Sequence, residues 1–475
     1  MRRILMFFIG IFLLSSCTTT TTTAQQEGYK IKVEIEGVNN DTVYLANYFG
    51  QKLYYTDTAY AIGNKVVFEG DSLLGGKYAI VLLKPKTKYF ELIVAEPEIS
   101  IKTNKDDFLD AMDIIKSKEN KVFYDYVHFL TERKAEMKPF EEQLKDFQGT
   151  KEEKDAIIEK LRAINKKVIE EQNRLVDEHD DLLVSKFINM GMQVKVPDPP
   201  KDENGIITDS TFQRRYYVNH YFDHFDFMDD RISHDPIFYN KLNDFFTKVV
   251  YPTADSIIFY GDVLIAKTSG KGDNFKFIAN YLSTMFDKQK RMGLDAVFVH
   301  IVENYYMKDK GYWLDSAATS KLTEKAMSLK PILIGKKAPY LNLFDTTGTK
   351  RVQLYDVKAD VTVLYFWSSD CGHCQKTTPK LLETYHKYKD KGVEVYAVGT
   401  ELENDLWKKY IHDHNFDFIN VSDLPNIPDY FRTHYDIFAT PKIFILDKDK
   451  VIIGKDISVE QIEQFLEFEL KKRTN

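Results

Sequence analysis

Cysteine is scarce, with three in 475 residues, so a chain of this length has no disulfide framework to hold it and must rely on packed cores. Charge of one sign is also missing. Lys and Arg total 65 against 72 Asp and Glu, a net of −7 with both signs interspersed, which excludes the basic face that nucleic acid binding needs. Long hydrophobic runs are absent except at the N-terminus, where Ile4 to Leu14 falls short of the ~20 residues of a spanning helix. What is present is 43% hydrophobic and 29% charged residues with 29 Tyr and 33 Phe, the composition of a soluble globular chain with aromatic cores. The length calls for about three domains.

The first residues, Met1-Arg2-Arg3, the apolar run and Ser15-Ser16 before Cys17, have the layout of a secretory signal. The tetrad Leu14-Ser15-Ser16-Cys17 resembles the bacterial lipobox. That resemblance implies a signal peptide over 1–17 and a mature protein starting at Cys17 with lipid attached, the alternative being cleavage after Ala24. Residues 18–27, with Thr18 to Thr23 and Ala24-Gln25-Gln26, are too polar and repetitive to pack and form a tether.

Residues 28–105 alternate with period two. Ile31, Val33 and Ile35 share a face, and short β-branched and aromatic runs are broken at Asn39-Asn40-Asp41, Gly63-Asn64 and Gly75-Gly76. This predicts antiparallel strands in a β-sandwich or barrel. The segment has no His or Cys, so a structural or partner-binding role is expected of it.

Residues 106–330 change to a helical period. Leu161, Val168, Leu175 and Leu182 recur every seven residues, predicting a long amphipathic helix paired with Phe123–Phe147. Further helices are expected around 209–227, 236–249, 273–291 and 295–308. His220 and His224 are spaced for one helical face, but lack the Glu and third ligand of a zinc enzyme and are surrounded by aromatic residues. They are expected to pack, and no metal is expected. No metal is expected at His412 and His414 either, which lie near an exposed helix end.

From 331 to 475 apolar strands alternate with amphipathic helices, which predicts an α/β unit with its sheet covered on both faces. The buried-strand run Val361 to Trp367 leads directly to Cys371 and Cys374 at a helix start. Disulfide exchange needs an attacking thiolate and a second thiol close enough to resolve the mixed disulfide, and Cys-x-x-Cys supplies both. Free N–H groups and the helix dipole favour the Cys371 thiolate, while Cys374, one turn on, faces inward. Gly372 lets a partner chain approach. His373, when protonated, places a positive charge near the thiolate, unless its ring simply points into water. Zinc, the other use of such a pair, needs two more ligands that no second pair supplies.

The run Phe366-Trp367-Ser368-Ser369-Asp370-Cys371-Gly372-His373-Cys374, with Pro379 beyond it, resembles a thioredoxin-fold site of the TlpA/ResA type. The resemblance implies a thiol–disulfide oxidoreductase needing no cofactor beyond a redox-active Cys371–Cys374 disulfide. It further implies a cis-proline at Thr440-Pro441 facing the cysteines, a supporting Trp367, and an acidic proton relay, Glu401 or after it Glu403. The Gly-His dipeptide is better known from protein disulfide isomerases and leaves the direction of electron flow open.

Tyr216-Tyr217-Val218-Asn219-His220-Tyr221-Phe222-Asp223 and Met292-Gly293-Leu294-Asp295-Ala296-Val297-Phe298 resemble motifs of envelope lipoproteins that carry a thioredoxin-like domain behind two uncharacterised modules. The resulting expectation is an N-terminal β-sandwich or barrel, an α-helical middle and a C-terminal thioredoxin-like fold. The function expected is exchange of disulfides with exported proteins, in the reducing direction, from a lipid-anchored, periplasm-facing position and with a membrane or periplasmic electron donor. Oxidation or isomerisation by the same site is one rival, and a binding lipoprotein with a structural thioredoxin-like domain is the other.

Overall fold

The computed structural model describes residues 28–83, 86–287, 291–307, 310–401, 404–422 and 429–474. The leader, the tether, Cys17 and Glu403 lie outside these residues. The chain forms two compact units, one of Leu53–Ser185 with the residues up to Tyr48, the other of Phe49–Lys52 with Lys186 onward. No helix among the described residues is long and apolar enough to cross a membrane.

In the first unit, β1 (Tyr29–Glu36), β2 (Thr42–Phe49), β3 (Lys52–Tyr60), β4 (Lys65–Gly70), β5 (Gly76–Leu82), β6 (Lys88–Val94), β7 (Glu98–Asn104) and β8 (Asp113–Lys116) make two four-stranded sheets. The strand orders are β4-β1-β7-β8 and β3-β2-β5-β6. Alternate residues of both, Ile31, Val33 and Ile35 from one and Val43, Leu45 and Ile80 from the other, meet in a shared core. That makes a β-sandwich.

The structure departs from two expectations. β1 and β7 run parallel, Ile31 opposite Ile99, because strands so far apart in the chain meet by a crossover instead of a hairpin. The helical pattern also does not begin at Asp106, since Asp113–Lys116 first adds an edge strand.

The predicted helical hairpin follows as α1 (Lys118–Lys145) and α2 (Lys151–Glu178). Thr150 and Glu153 form a capping box that starts α2. Within α2 only Ile164 and Leu175 are fully buried.

Next come α3 (Leu183–Gly191), α4 (Phe212–His220), α5 (Pro236–Asp244), α6 (Ala254–Ala266), α7 (Gly272–Asp287), α8 (Asp295–Ile301) and α9 (Ser316–Leu329). α5 and α8 each run on into a single π-helical turn, at Phe245–Val249 and Val302–Tyr306. His220 stacks on Tyr216 with centroids 4.0 Å apart and bonds Asp223 at 2.5 Å. His414 stacks on Tyr410 in the same way. Among the described residues, no group of three or more His, Cys, Asp or Glu is placed to hold a metal ion.

The C-terminal sheet is built from β9 (Asn342–Asp345), β10 (Arg351–Gln353), β11 (Val361–Trp367), β12 (Val393–Gly399), β13 (Ile419–Ser422), β14 (Lys442–Asp447) and β15 (Ile452–Lys455). Its order is β10-β9-β13-β12-β11-β14-β15. α10 (Gly372–Tyr388), α11 (Asn404–Asp413), α12 (Asp429–Tyr435) and α13 (Val459–Thr474) accompany it. β11 lies inside the sheet, between β12 and β14, and is buried along its whole length. Val363, Tyr365 and Trp367 pack on one face with Leu381, Trp407 and Ile462, while Leu364 and Phe366 pack on the other with Leu341, Tyr435 and Phe444. Burial on both faces is why this strand reads as an unbroken apolar run.

Candidate active site

β11 ends at Trp367, and the chain turns through Ser368, Ser369 and Asp370 into α10, whose N-cap residue is Cys371. The parallel partner β12 delivers Thr400, whose N–H donates to the Trp367 carbonyl at 2.9 Å. Antiparallel β14 starts immediately after Pro441 and brings the Thr440-Pro441 bond, which is cis, to the cysteines. The side chains that converge here are therefore set by strand order: the end of β11, the end of β12 and the start of β14.

The two thiols have opposite surroundings. Cys371 is partly exposed and its Sγ donates to the Thr440 carbonyl at 3.3 Å. Burial works to raise its pKa, but the Thr440 side chain and the backbone N–H groups of Cys374 and His373 outweigh it and hold the thiol below its ordinary value. Cys374 is fully buried, and burial is the main cause that pushes it up to about 12. Such an arrangement leaves one sulfur accessible and easily ionised, and a second that is protected one helical turn away.

Glu401 follows β12 and is buried beside the same turn. Its Oε1 accepts from the Ser369 N–H, and its Oε2 has no hydrogen-bond partner among the described residues. Burial raises its pKa, only partly offset by the Ser369 bond. Trp367 is buried on the cysteine side of the sheet, with its Nε1 also unpartnered.

Gly372 and His373 are exposed, and a Cβ added at Gly372 would meet nothing within 4 Å. The glycine is thus not required by packing. Among the described residues, no hydrogen bond, ion pair or ring contact engages the His373 ring, and Thr377 Oγ1 donates to the His373 carbonyl instead. That leaves the ring facing solvent.

Several residues at the site escaped the sequence reading. Tyr365 stacks parallel to Trp367, and its hydroxyl lies 2.9 Å from Thr378 Oγ1, which in turn donates to the Cys374 carbonyl. Its signal was present, since Tyr365 and Trp367 are two apart in one strand and must share a face. Phe438 and Arg432 had no local signal. With Ser368, Asp370, Glu401 and Thr440 they line a cleft of about 280 Å³ beside the cysteine turn. Phe438 is 81% exposed and also borders a second cleft, with Pro441 and Thr377, on the other side of its loop.

Residues 334–455 match the AhpC/TSA family, 160–329 a domain of unknown function (DUF5106) and 29–123 another (DUF4369). Thiol-disulfide oxidoreductase ResA of Bacillus thuringiensis subsp. konkukian is 34% identical over 141 residues, 30% of this chain and 79% of that protein. ResA of Bacillus subtilis is 32% identical over 127 residues, 25% of this chain and 67% of that protein. Among solved structures, a domain of a possible thiol-disulfide isomerase from Cytophaga hutchinsonii is 46% identical, covering 30% of this chain and 97% of that one with a TM-score of 0.28. Through its C-terminal thioredoxin-like domain, this chain belongs to the ResA family of thiol–disulfide oxidoreductases.

Proposed function

We propose that the chain reduces disulfides of exported proteins through Cys371 and Cys374, from a membrane-tethered position in the cell envelope facing the periplasm. The observation that carries this reading is the contrast between the two thiols: Cys371 is accessible with a lowered pKa, and Cys374 is buried and held at about 12. Exchange needs one sulfur that attacks and one that waits.

In the first step the Cys371 thiolate attacks one sulfur of the partner's disulfide. That S–S bond breaks, the first partner thiolate leaves and is protonated, and a mixed disulfide joins the partner to Cys371. Cys374 then loses its proton, for which Glu401, a buried carboxyl with raised proton affinity, is the assigned acceptor. Its thiolate attacks Cys371 Sγ and releases the second partner thiolate. The partner gains two electrons, and the chain is left with a Cys371–Cys374 disulfide. An electron donor at the membrane or in the periplasm restores the dithiol, and no further cofactor is invoked.

Family membership favours reduction, while the Gly372-His373 dipeptide favours the oxidising rival. Equilibration in glutathione buffers decides between them. The expected potential lies nearer to about −270 mV than to about −120 mV, the values of a reductant and a strong oxidant of this fold. A value near the upper figure moves the chain to oxidation. The leader and Cys17 support export and lipid attachment, which labelled-lipid incorporation at Cys17, lost in Cys17→Ala, tests. If the chain fails to accelerate insulin reduction by dithiothreitol, the binding-protein reading replaces this one.

A further inference from the structure

Residues 436–440 join α12 to the cis-proline and bring Thr440 to Cys371, and the first of them is Asp436. This residue holds φ at +53°, a left-handed conformation costly for most side chains but tolerated by Asp and Asn. Two elements grip it. From β14, Lys442 Nζ donates to the Asp436 carbonyl at 3.1 Å and approaches its carboxylate at 3.4 Å. From α9, which precedes the thioredoxin-like domain, Ser328 Oγ lies 3.4 Å from Asp436 Oδ1.

The apolar contact is larger. Leu329, the last residue of α9, packs on the cluster that holds Ile332, Tyr435 and Ile437. Tyr435 in turn packs at a tilt against Phe366 of β11 and edge-on to Phe444 of β14, with centroids 5.0 and 5.5 Å away. The residues on both sides of Asp436 are thus wedged between the sheet and a helix of the middle module. Lys455 on β15, 2% exposed, bonds the α8 carboxylate of Asp295 and the Ile332 carbonyl, fixing α8 against the same domain.

We propose that α9 is part of the active-site scaffold: through Ser328 and Leu329 it sets Asp436, and hence the position of Phe438 and Thr440, against which a partner's disulfide docks. Asp436, Ser328 and Leu329 are positioning residues that touch neither sulfur. The middle module thereby controls how well protein disulfides are accepted, without altering the intrinsic reactivity of Cys371. This inference rests on the disulfide-exchange reading above.

The test uses the full chain with Leu329→Ala and Ser328→Ala, the second removing the hydroxyl by which α9 reaches Asp436. Two rates are read for each: kcat and KM for reduction of insulin, and alkylation of Cys371 by iodoacetamide across pH. The expected result is a rise in KM of about fivefold or more with kcat, the Cys371 alkylation rate and its apparent pKa unchanged within twofold. Combining the two substitutions should give no more than the larger single effect, since both act through one loop.

A KM within twofold of the parent in both variants overturns the proposal. So does a parallel fall in alkylation rate or a shift in its pKa, which would mean general damage to the site. If the parent chain itself shows no insulin reduction and no reactive Cys371, it is the underlying function that fails, and that outcome is separate from these.

Discussion

Alkylation of the two active-site thiols distinguishes them sharply. A thiol held at about 12, as burial holds Cys374, is ionised at pH 8 to about one part in ten thousand. Free cysteine, at ~8.5, is ionised to about a quarter there, and Cys371 lies below its ordinary value. The thiolate ratio therefore exceeds about two thousandfold. A thiolate of higher pKa is the better nucleophile, and a Brønsted slope of ~0.45 over ~3.5 units returns a factor of about forty. The net preference for Cys371 is about fiftyfold, before the burial of Cys374 slows the reagent further. Iodoacetamide added to the reduced chain over a range of pH, with each cysteine quantified by peptide mass spectrometry, measures both rate and apparent pKa. The reasoning is refuted if Cys374 is modified as fast as Cys371, or if the apparent pKa of Cys371 is at or above that of free cysteine.

Three other perturbations have expected outcomes. Asp295→Ala leaves the buried Lys455 ammonium without its carboxylate and should cost about 3 kcal/mol in denaturant unfolding, whereas Asp295→Leu combined with Lys455→Met should be near neutral; equal losses would show that the pair is not coupled. Burial raises the Glu401 pKa, so its folded form favours the proton and loses stability as pH rises through that value. Glu401→Gln should therefore raise Tm at pH 8 and not at pH 4 while slowing release of the mixed disulfide, and a lower Tm at pH 8 contradicts the assignment. His373→Gln, which keeps the backbone N–H that holds the Cys371 thiolate while removing the ring, should lower the reduction potential, 30 mV corresponding to about 1.4 kcal/mol for two electrons. Since the ring faces solvent, an unchanged potential would show that its charge does not reach the thiolate.

The parts of this molecule that were legible in its sequence are those written in local spacing. The cysteines are three apart and follow an unbroken apolar strand, so the helix start, the outward and inward members of the pair and the burial of β11 could all be read without knowing the fold. The β-sandwich was legible for the same reason, through alternation such as Ile31, Val33 and Ile35. What was not legible depends on contacts between distant residues. The β1–β7 pairing is parallel although neighbouring strands suggest hairpins. Thr440 meets Cys371 across 69 residues, and without the resemblance to a known family nothing local would have placed it there. Phe438 and Arg432 reach the site only because β14 lies beside β11. Among the helices, α6 was missed because Ile257-Ile258-Phe259-Tyr260 is apolar all round and shows no period, and α9 because Ser316-Ala317-Ala318-Thr319-Ser320 has little hydrophobic contrast to display one. β9 and β10, four and three residues long, are too short for alternation to register.

The central claim, that Cys371 attacks and Cys374 resolves, is tested most directly by trapping the mixed disulfide. Cys374→Ala and Cys371→Ala versions of the full chain, reduced and then mixed with a protein carrying an accessible disulfide, are separated under non-reducing conditions and the joined peptides are identified by mass spectrometry. The account predicts a lasting covalent complex through Cys371 in the first variant and none in the second. A complex formed equally well through Cys374, or no complex in either variant, would contradict it.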